Sequence, residues 1–162
     1  MRPNQLFAAM KPDQARIFLD ALKEKAPIAW AQAIGLTAGA IKARPVFVQK
    51  QPPERRAELI RKSLSRVASA PIAEELLAVY FLECRNELLV EWLGAIGVEH
   101  DKGTLTGDPE EPEPEKLRSA VAAFRQAASD EASTADRELL LRAFAAQTSI
   151  DWPNLDALLE AA

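Results

Sequence analysis

Two side chains could between them carry nucleophilic chemistry: Cys84 as the thiolate and His100 as its base, each the only residue of its type in the chain. That chemistry needs the two within hydrogen-bonding reach, about 3 Å. Their spacing opposes it. A helix that runs on to Ile96 or Gly97 puts Cys84 roughly 20 Å from its end, so the segment bearing His100 has to fold back over three turns. Cys84 also shares a helix side with Leu77, Phe81 and Leu88, where a thiol behaves as a small hydrophobe. The thiol is expected in the core, and no catalytic residue is assigned.

Glu83, Glu87 and Glu91 recur every four residues and line one edge of that helix, the way carboxylates hold metals in helical bundles. Such sites also draw histidines from neighbouring helices, and no helix predicted here contains one. The stripe is therefore expected to face water or the preceding helix, whose outer side carries Arg55, Arg61, Lys62 and Arg66. Neither a metal nor a cofactor is predicted.

Charge is the least ordinary feature. The net charge of −4 divides at Ala70 into 13 basic and 5 acidic side chains before it and 7 basic and 19 acidic after it, or +8 and −12. Such a layout either binds an outside partner or is neutralised within the chain. The basic half concentrates in Ile41 to Arg66, where Lys42, Arg44, Lys50, Arg55, Arg56, Arg61, Lys62 and Arg66 stand against Glu54 and Glu58. These eight are the candidate residues for binding a partner or polyanion. Phosphate recognition could use them, with an affinity that falls steeply with salt. The run has no glycine-rich phosphate loop, and Phe47 is its only aromatic for stacking.

The stretch Ala31 to Arg44, "AQAIGLTAGAIKAR", resembles the helix-turn-helix pattern of repressor-like DNA-binding proteins through Ala31, then Ile34-Gly35-Leu36-Thr37, then Ala40-Ile41. The resemblance implies a turn at Gly35 and a recognition helix presenting Thr37, Ala38, Lys42 and Arg44 to the major groove. The same letters have another reading. Ala31, Gly35, Gly39 and Ala43 form a small-residue stripe along one continuous helix, against which another backbone can pack closely.

The elements that position these residues are paced by proline, which is tolerated in a helix's first turn and breaks its interior. Pro3, Pro12, Pro27, Pro53, Pro71, Pro114 and Pro153 each precede apolar residues at helical spacing, which predicts seven helix starts. Residues 12 to 25 align Ala15, Phe18, Leu19 and Leu22; residues 53 to 69 align Ala57, Ile60, Leu64 and Val67. Residues 114 to 130 align Leu117, Val121 and Phe124. Ser133 or Thr134 can cap a helix carrying Leu139, Leu140 and Phe144, and Asp151 a last one carrying Leu155, Leu158 and Leu159. "PVFVQ", Pro45 to Gln49, comes nearest to a strand, but it lies between prolines and no sheet is expected.

Residues 71 to 97 are apolar on two sides, with Leu77, Phe81, Leu88 and Trp92 on one and Leu82, Leu89, Leu93 and Ile96 on the other. A helix apolar around most of its circumference is predicted as a central strut of about 40 Å. Gly97 suits the left-handed turn that ends it, with Val98 making the accompanying contact. The text then turns acidic over 98 to 113, with six acids by Glu113, as a solvated loop or linker. The expectation is an all-α single bundle of about seven helices around that central helix: a main body over 1–97, the loop over 98–113, and a short helical tail over 114–162 docked on the body, with Trp152 pinning it.

A chain 48% hydrophobic and 27% charged is that of an ordinary folded protein. Its start offers no apolar run of secretory length, and "LLAVYFL" is far short of the roughly 20 residues that span a bilayer. One cysteine forms no internal disulfide. By default, a cytoplasmic protein is expected. The expected function is a non-enzymatic protein-interaction or regulatory module that binds another protein or its own copy. Nucleic-acid or polyanion binding through 42–66 is the alternative, and an enzyme of unrecognised type a third. "LDALL", Leu155 to Leu159, matches a short interaction pattern that any leucine-faced helix can meet.

Overall fold

A computed structural model describes residues 1–161. The fold is all-α, with ten α-helices and one two-residue hairpin among the described residues. All seven prolines read as helix starts lie in the first turn of a helix. Pro45 adds an eighth: "PVFVQ" is a short helix, not a strand. Two compact units can be described within the chain, Met1–Cys84 and Arg85–Ala162.

The N-terminal unit contains α1 (Pro3–Ala9), α2 (Pro12–Lys25), α3 (Pro27–Ile41), α4 (Pro45–Gln49), α5 (Pro53–Leu64) and α6 (Ala70–Val79). Helix α5 is its hub, packing against α1, α2 and α3. Leu22, Ile34, Ile60, Leu64 and Leu76 are fully buried there. A run of edge-on and tilted rings crosses the core: Phe7 to Phe18 at 5.3 Å, Phe18 to Tyr80 at 4.3 Å and Tyr80 to Phe81 at 5.0 Å between centroids. Such pairs add about 1 kcal/mol each beyond the area they bury. Helix α5 stops at Leu64, five residues before the predicted end, so Val67 lies in the following 3₁₀ turn and is 69% exposed instead of joining the apolar stripe.

The predicted central helix over 71–97 is interrupted. After α6 the backbone widens into a π turn, Tyr80–Cys84, and Arg85 leaves helical space at φ −135° and ψ 43° before α7 (Asn86–Ile96) begins. A π turn takes up an extra residue, which re-aims the side chains after it. The boundary between the two units falls at this joint, upstream of the acidic stretch read as the divider.

The C-terminal unit holds α7, the hairpin β1 (His100–Asp101) with β2 (Thr104–Leu105), α8 (Pro114–Gln126), α9 (Glu131–Ala145) and α10 (Pro153–Glu160). Helix α7 packs on α8, α8 on α9, and α10 on both α8 and α9. The core is again aromatic: Trp92 lies 5.4 Å from Phe124 and 5.9 Å from Phe144, and Phe144 lies 5.2 Å from Trp152. Trp152 thus packs on α9, and its Nε1 donates to the Pro109 carbonyl at 3.2 Å. Part of the acidic stretch is held the same way. Glu111 accepts from the Leu155 amide at 3.0 Å and from Asn154 Nδ2 at 3.3 Å, satisfying the start of α10, whose own N-cap, Trp152, supplies no side-chain bond. Asp151 does not cap it as predicted, and α9 is capped by Asp130, which accepts from the Ser133 amide at 2.7 Å.

Arg137 is a buried cation of this unit, 8% exposed. Its guanidinium donates twice to the Glu91 carboxylate and once to the Phe124 carbonyl at 2.9 Å, and it lies 4.6 Å from the centre of the Phe124 ring. It thereby ties α9 to α7 and α8. Removing one partner of such a pair leaves the other charge uncompensated, whereas replacing both with apolar groups is far less costly. Glu91→Ala should lower unfolding free energy by about 2 kcal/mol, and Arg137→Met in that background should restore much of the loss. Urea denaturation of the two variants measures both.

Candidate functional site

Cys84 and His100 each have a local role. Cys84 is buried in the N-terminal unit, with its Sγ donating to the Ala21 carbonyl at 3.6 Å. His100 belongs to the hairpin, whose turn places Lys102 at φ 53° and Gly103 at φ 99°. Two successive positive φ values are the signature of the tight turn matched to strand twist, and glycine at the second meets its demand. The His100 ring accepts the Gly103 amide proton at Nδ1, 3.0 Å away. In the glutamate stripe, Glu83 and Glu87 are exposed, while the Glu91 carboxylate is occupied by Arg137.

The segment that resembles a helix-turn-helix is a single helix. Helix α3 continues through Gly35, Thr37 is buried with its hydroxyl donating to the Ala33 carbonyl at 2.8 Å, and Ala38 is buried as well. Two residues expected to face DNA therefore face the core. The small-residue stripe faces the other way. Ala31, Gly35 and Gly39 are exposed, and a Cβ placed at either glycine would meet nothing within 4 Å. Among the described residues nothing packs against either glycine, so close packing is not what the stripe does in this structure. On the same outward side Ile28 is 83% exposed.

The eight predicted basic residues separate by role. Arg61 is structural: it makes a two-bond pair with Glu58 at 2.6 and 2.9 Å and donates to the Phe7 and Ala8 carbonyls at 3.2 and 3.3 Å, clamping α5 to the end of α1. Arg56 donates to the Gln49 carbonyl at 3.2 Å and lies over the Trp30 ring at 5.2 Å. Arg55 bonds Gln51 at 3.2 Å. Lys42, Arg44, Lys50 and Arg66 are exposed and have no acidic partner among the described residues, while the exposed Lys62 makes no ion pair and acts on Glu58 through its charge alone. They fall into two groups. Lys42, Arg44 and Lys50 surround the corner between α3 and α4, while Lys62 and Arg66 lie at the far end of α5, about 10 Å and more beyond Arg55 along its axis.

The corner also carries apolar surface that sequence reading overlooked. Helix α4 buries Val48 completely and leaves Val46 and Phe47 each 48% exposed, with Ile41 at the end of α3 38% exposed. Three half-exposed apolar side chains and three unpaired cations thus fall within ten consecutive residues. The sequence signal was the enclosure of "PVFVQ" between prolines, which allows a helix too short to bury more than one side.

Lys42 holds this corner in a particular way. It ends α3 in the left-handed conformation, φ 55° and ψ 43°. Its amide donates to the Gly39 carbonyl at 3.3 Å, and the Ala43 amide donates to the Ala38 carbonyl at 2.9 Å, the paired bonds of a Schellman ending. Glycine is the usual residue there because a side chain costs about 1 kcal/mol in that conformation. Gly97 ends α7 with the same pattern and the expected glycine, its bonds running to Gly94 and, through Val98, to Leu93.

Counted by compact unit, the N-terminal one carries 13 basic and 8 acidic side chains and the C-terminal one 7 and 16, or +5 and −9. No family model, curated protein or solved structure matches the chain. Fold and surface together define an all-α protein of two helical units, with an apolar and basic corner on the first. Among the described residues no helix is long and apolar enough to cross a membrane.

The Arg61 clamp has a pH signature. Hydrogen bonding to Arg61 holds the Glu58 carboxyl below the usual carboxylate range against the opposing effect of burial, with the charges of Arg61 and Lys62 adding to the lowering. A lowered folded value contributes stability that is complete above the ordinary glutamate value and lost as pH falls through the lowered one. Arg61→Ala should therefore cost about 1 kcal/mol at neutral pH, with the gap to the native chain closing in acid. Unfolding curves across that range check it.

Proposed function

We propose that the protein is a non-enzymatic interaction module that binds another protein through the α3–α4 corner of its N-terminal unit. The observation that carries this reading is that Ile41, Val46 and Phe47, each with a third to a half of its surface in water, share ten residues with Lys42, Arg44 and Lys50, which have no acid to answer them among the described residues. Single exposed apolar residues are ordinary, but contiguous ones rimmed by polar groups are the form that binding surfaces take. The uncharged outer line of α3, from Ile28 through Gly35 and Gly39, adds a second apolar feature to the same unit. The local structural roles of Cys84, His100 and Glu91 support a non-enzymatic reading, and one buried thiol suits a reducing, cytoplasmic setting.

A second reading, polyanion binding, draws on the same unpaired cations together with Lys62 and Arg66. Its signature is duplex binding that weakens steeply as salt rises.

The test is comparative capture from cell extract, with the native chain and a Val46→Ser/Phe47→Ser variant as baits, and light scattering on both. Those two side chains are half in water, so the variant should melt within a few degrees of the native chain. A protein retained by the native chain and lost by the variant is expected, or a dimer that the variant dissolves. Identical retention and identical mass for the two baits would contradict the reading.

A further inference from the structure

We infer that the α3–α4 corner takes an acidic peptide segment carrying apolar anchors, and that Lys42 is kept in glycine's conformation to set its ammonium beside the apolar patch and read that acidity. The inference rests on the interaction reading and names the partner's chemistry. Three observations meet at one place. Lys42, Arg44 and Lys50 lie within nine positions and are answered by no carboxylate among the described residues. Ile41, Val46 and Phe47 carry half-exposed apolar surface within the same ten residues. Lys42 stands at φ 55° in a Schellman ending where glycine is the relaxed choice. A residue held at a conformational cost points to a gain elsewhere.

Charge decides the sign of the partner, and the apolar surface decides its class. An acidic segment neutralises three cations that otherwise remain solvated, in a unit of net charge +5. Leucine or aromatic side chains of a peptide can cover Ile41, Val46 and Phe47 together. A nucleic acid would stack on Phe47 alone and leave the two aliphatic side chains in water. It would also favour a continuous basic track, whereas Lys62 and Arg66 are separated from the corner by most of the length of α5. A second copy docking corner to corner would bring Lys42, Arg44 and Lys50 against themselves, which like charges oppose.

A competing account keeps Lys42 for its helix, since a cation near a helix C-terminus interacts favourably with the last carbonyls. The two accounts predict opposite outcomes for Lys42→Gly. If the lysine is there for a partner, the substitution relieves the backbone and raises the melting temperature by about 2–4 °C, while binding weakens. If it is there for the helix, the melting temperature falls and binding is unchanged.

The experiment is fluorescence anisotropy on the full chain with four labelled probes: a short peptide rich in glutamate and aspartate with three leucines, the same peptide with serines for the leucines, the same with lysines for the acids, and a short DNA duplex. The leucine-bearing acidic peptide should bind most tightly and weaken with salt. Phe47→Ser should reduce its affinity roughly tenfold, and Lys42→Gly several-fold alongside the raised melting temperature. Equal binding of the serine peptide, equal binding of the lysine peptide, tighter binding of the duplex, or no binding of any probe would each overturn the inference. So would unchanged binding by Lys42→Gly with a lowered melting temperature. None of these peptide results disposes of protein binding itself, which the capture experiment decides separately.

Discussion

A cation that leaves water must find its counter-charge close at hand, and in this protein that constraint is met locally, inside each compact unit. Arg137 is answered by Glu91 and by the carbonyl and ring of Phe124. Arg125 pairs with Glu138 at 2.8 Å and Arg85 with Asp136 at 2.9 Å. In the N-terminal unit Arg61 takes Glu58. Each pair fastens one helix to another or steadies a helix surface, and each draws on an acid of its own unit. What remains unanswered is consequently uneven. The first unit keeps lysines and arginines in water, three of them at the α3–α4 corner, and the second keeps an excess of acids.

Much of the helical plan could be read from the chain because its signals are local. A proline fixes the first turn wherever it stands, and the stripes of α2 and α8 needed only their own periodicity; Ala15, Phe18, Leu19 and Leu22 are all buried as predicted. The central strut failed for the opposite reason. From Leu76 to Leu82 the chain is apolar in every direction, so periodicity cannot distinguish one continuous helix from a helix, a π turn and a second helix. The extra residue of a π turn leaves no mark in composition, and Arg85 is as ordinary in a helix as at its break. The capping of α10 was equally out of reach, since its cap is Glu111, more than forty positions upstream.

The corner was half legible. Counting charges located Lys42, Arg44 and Lys50, but it could not separate them from Arg61, which is chemically the same and is consumed by a clamp. Nothing in "PVFVQ" states that Val48 turns inward while Val46 and Phe47 stay in water, because alternation and a one-turn helix divide those letters differently. The pattern in Ala31 to Arg44 misled for a related reason. Glycine is at home both in a turn between helices and on the open face of one helix, and the buried Thr37 and Ala38 decide for the latter.

The cations of the corner are answered by no carboxylate among the described residues, and their openness to a partner depends on this. The measurement that reaches it most directly is the urea unfolding of the triple variant Lys42→Gln, Arg44→Gln, Lys50→Gln. Solvated charges without intramolecular partners can be neutralised at little cost, so the variant should match the native chain within about 0.5 kcal/mol. A loss of roughly 2 kcal/mol or more, the scale of broken charge-assisted bonds, would mean that these side chains are paired within the protein, and the corner would then be no open surface.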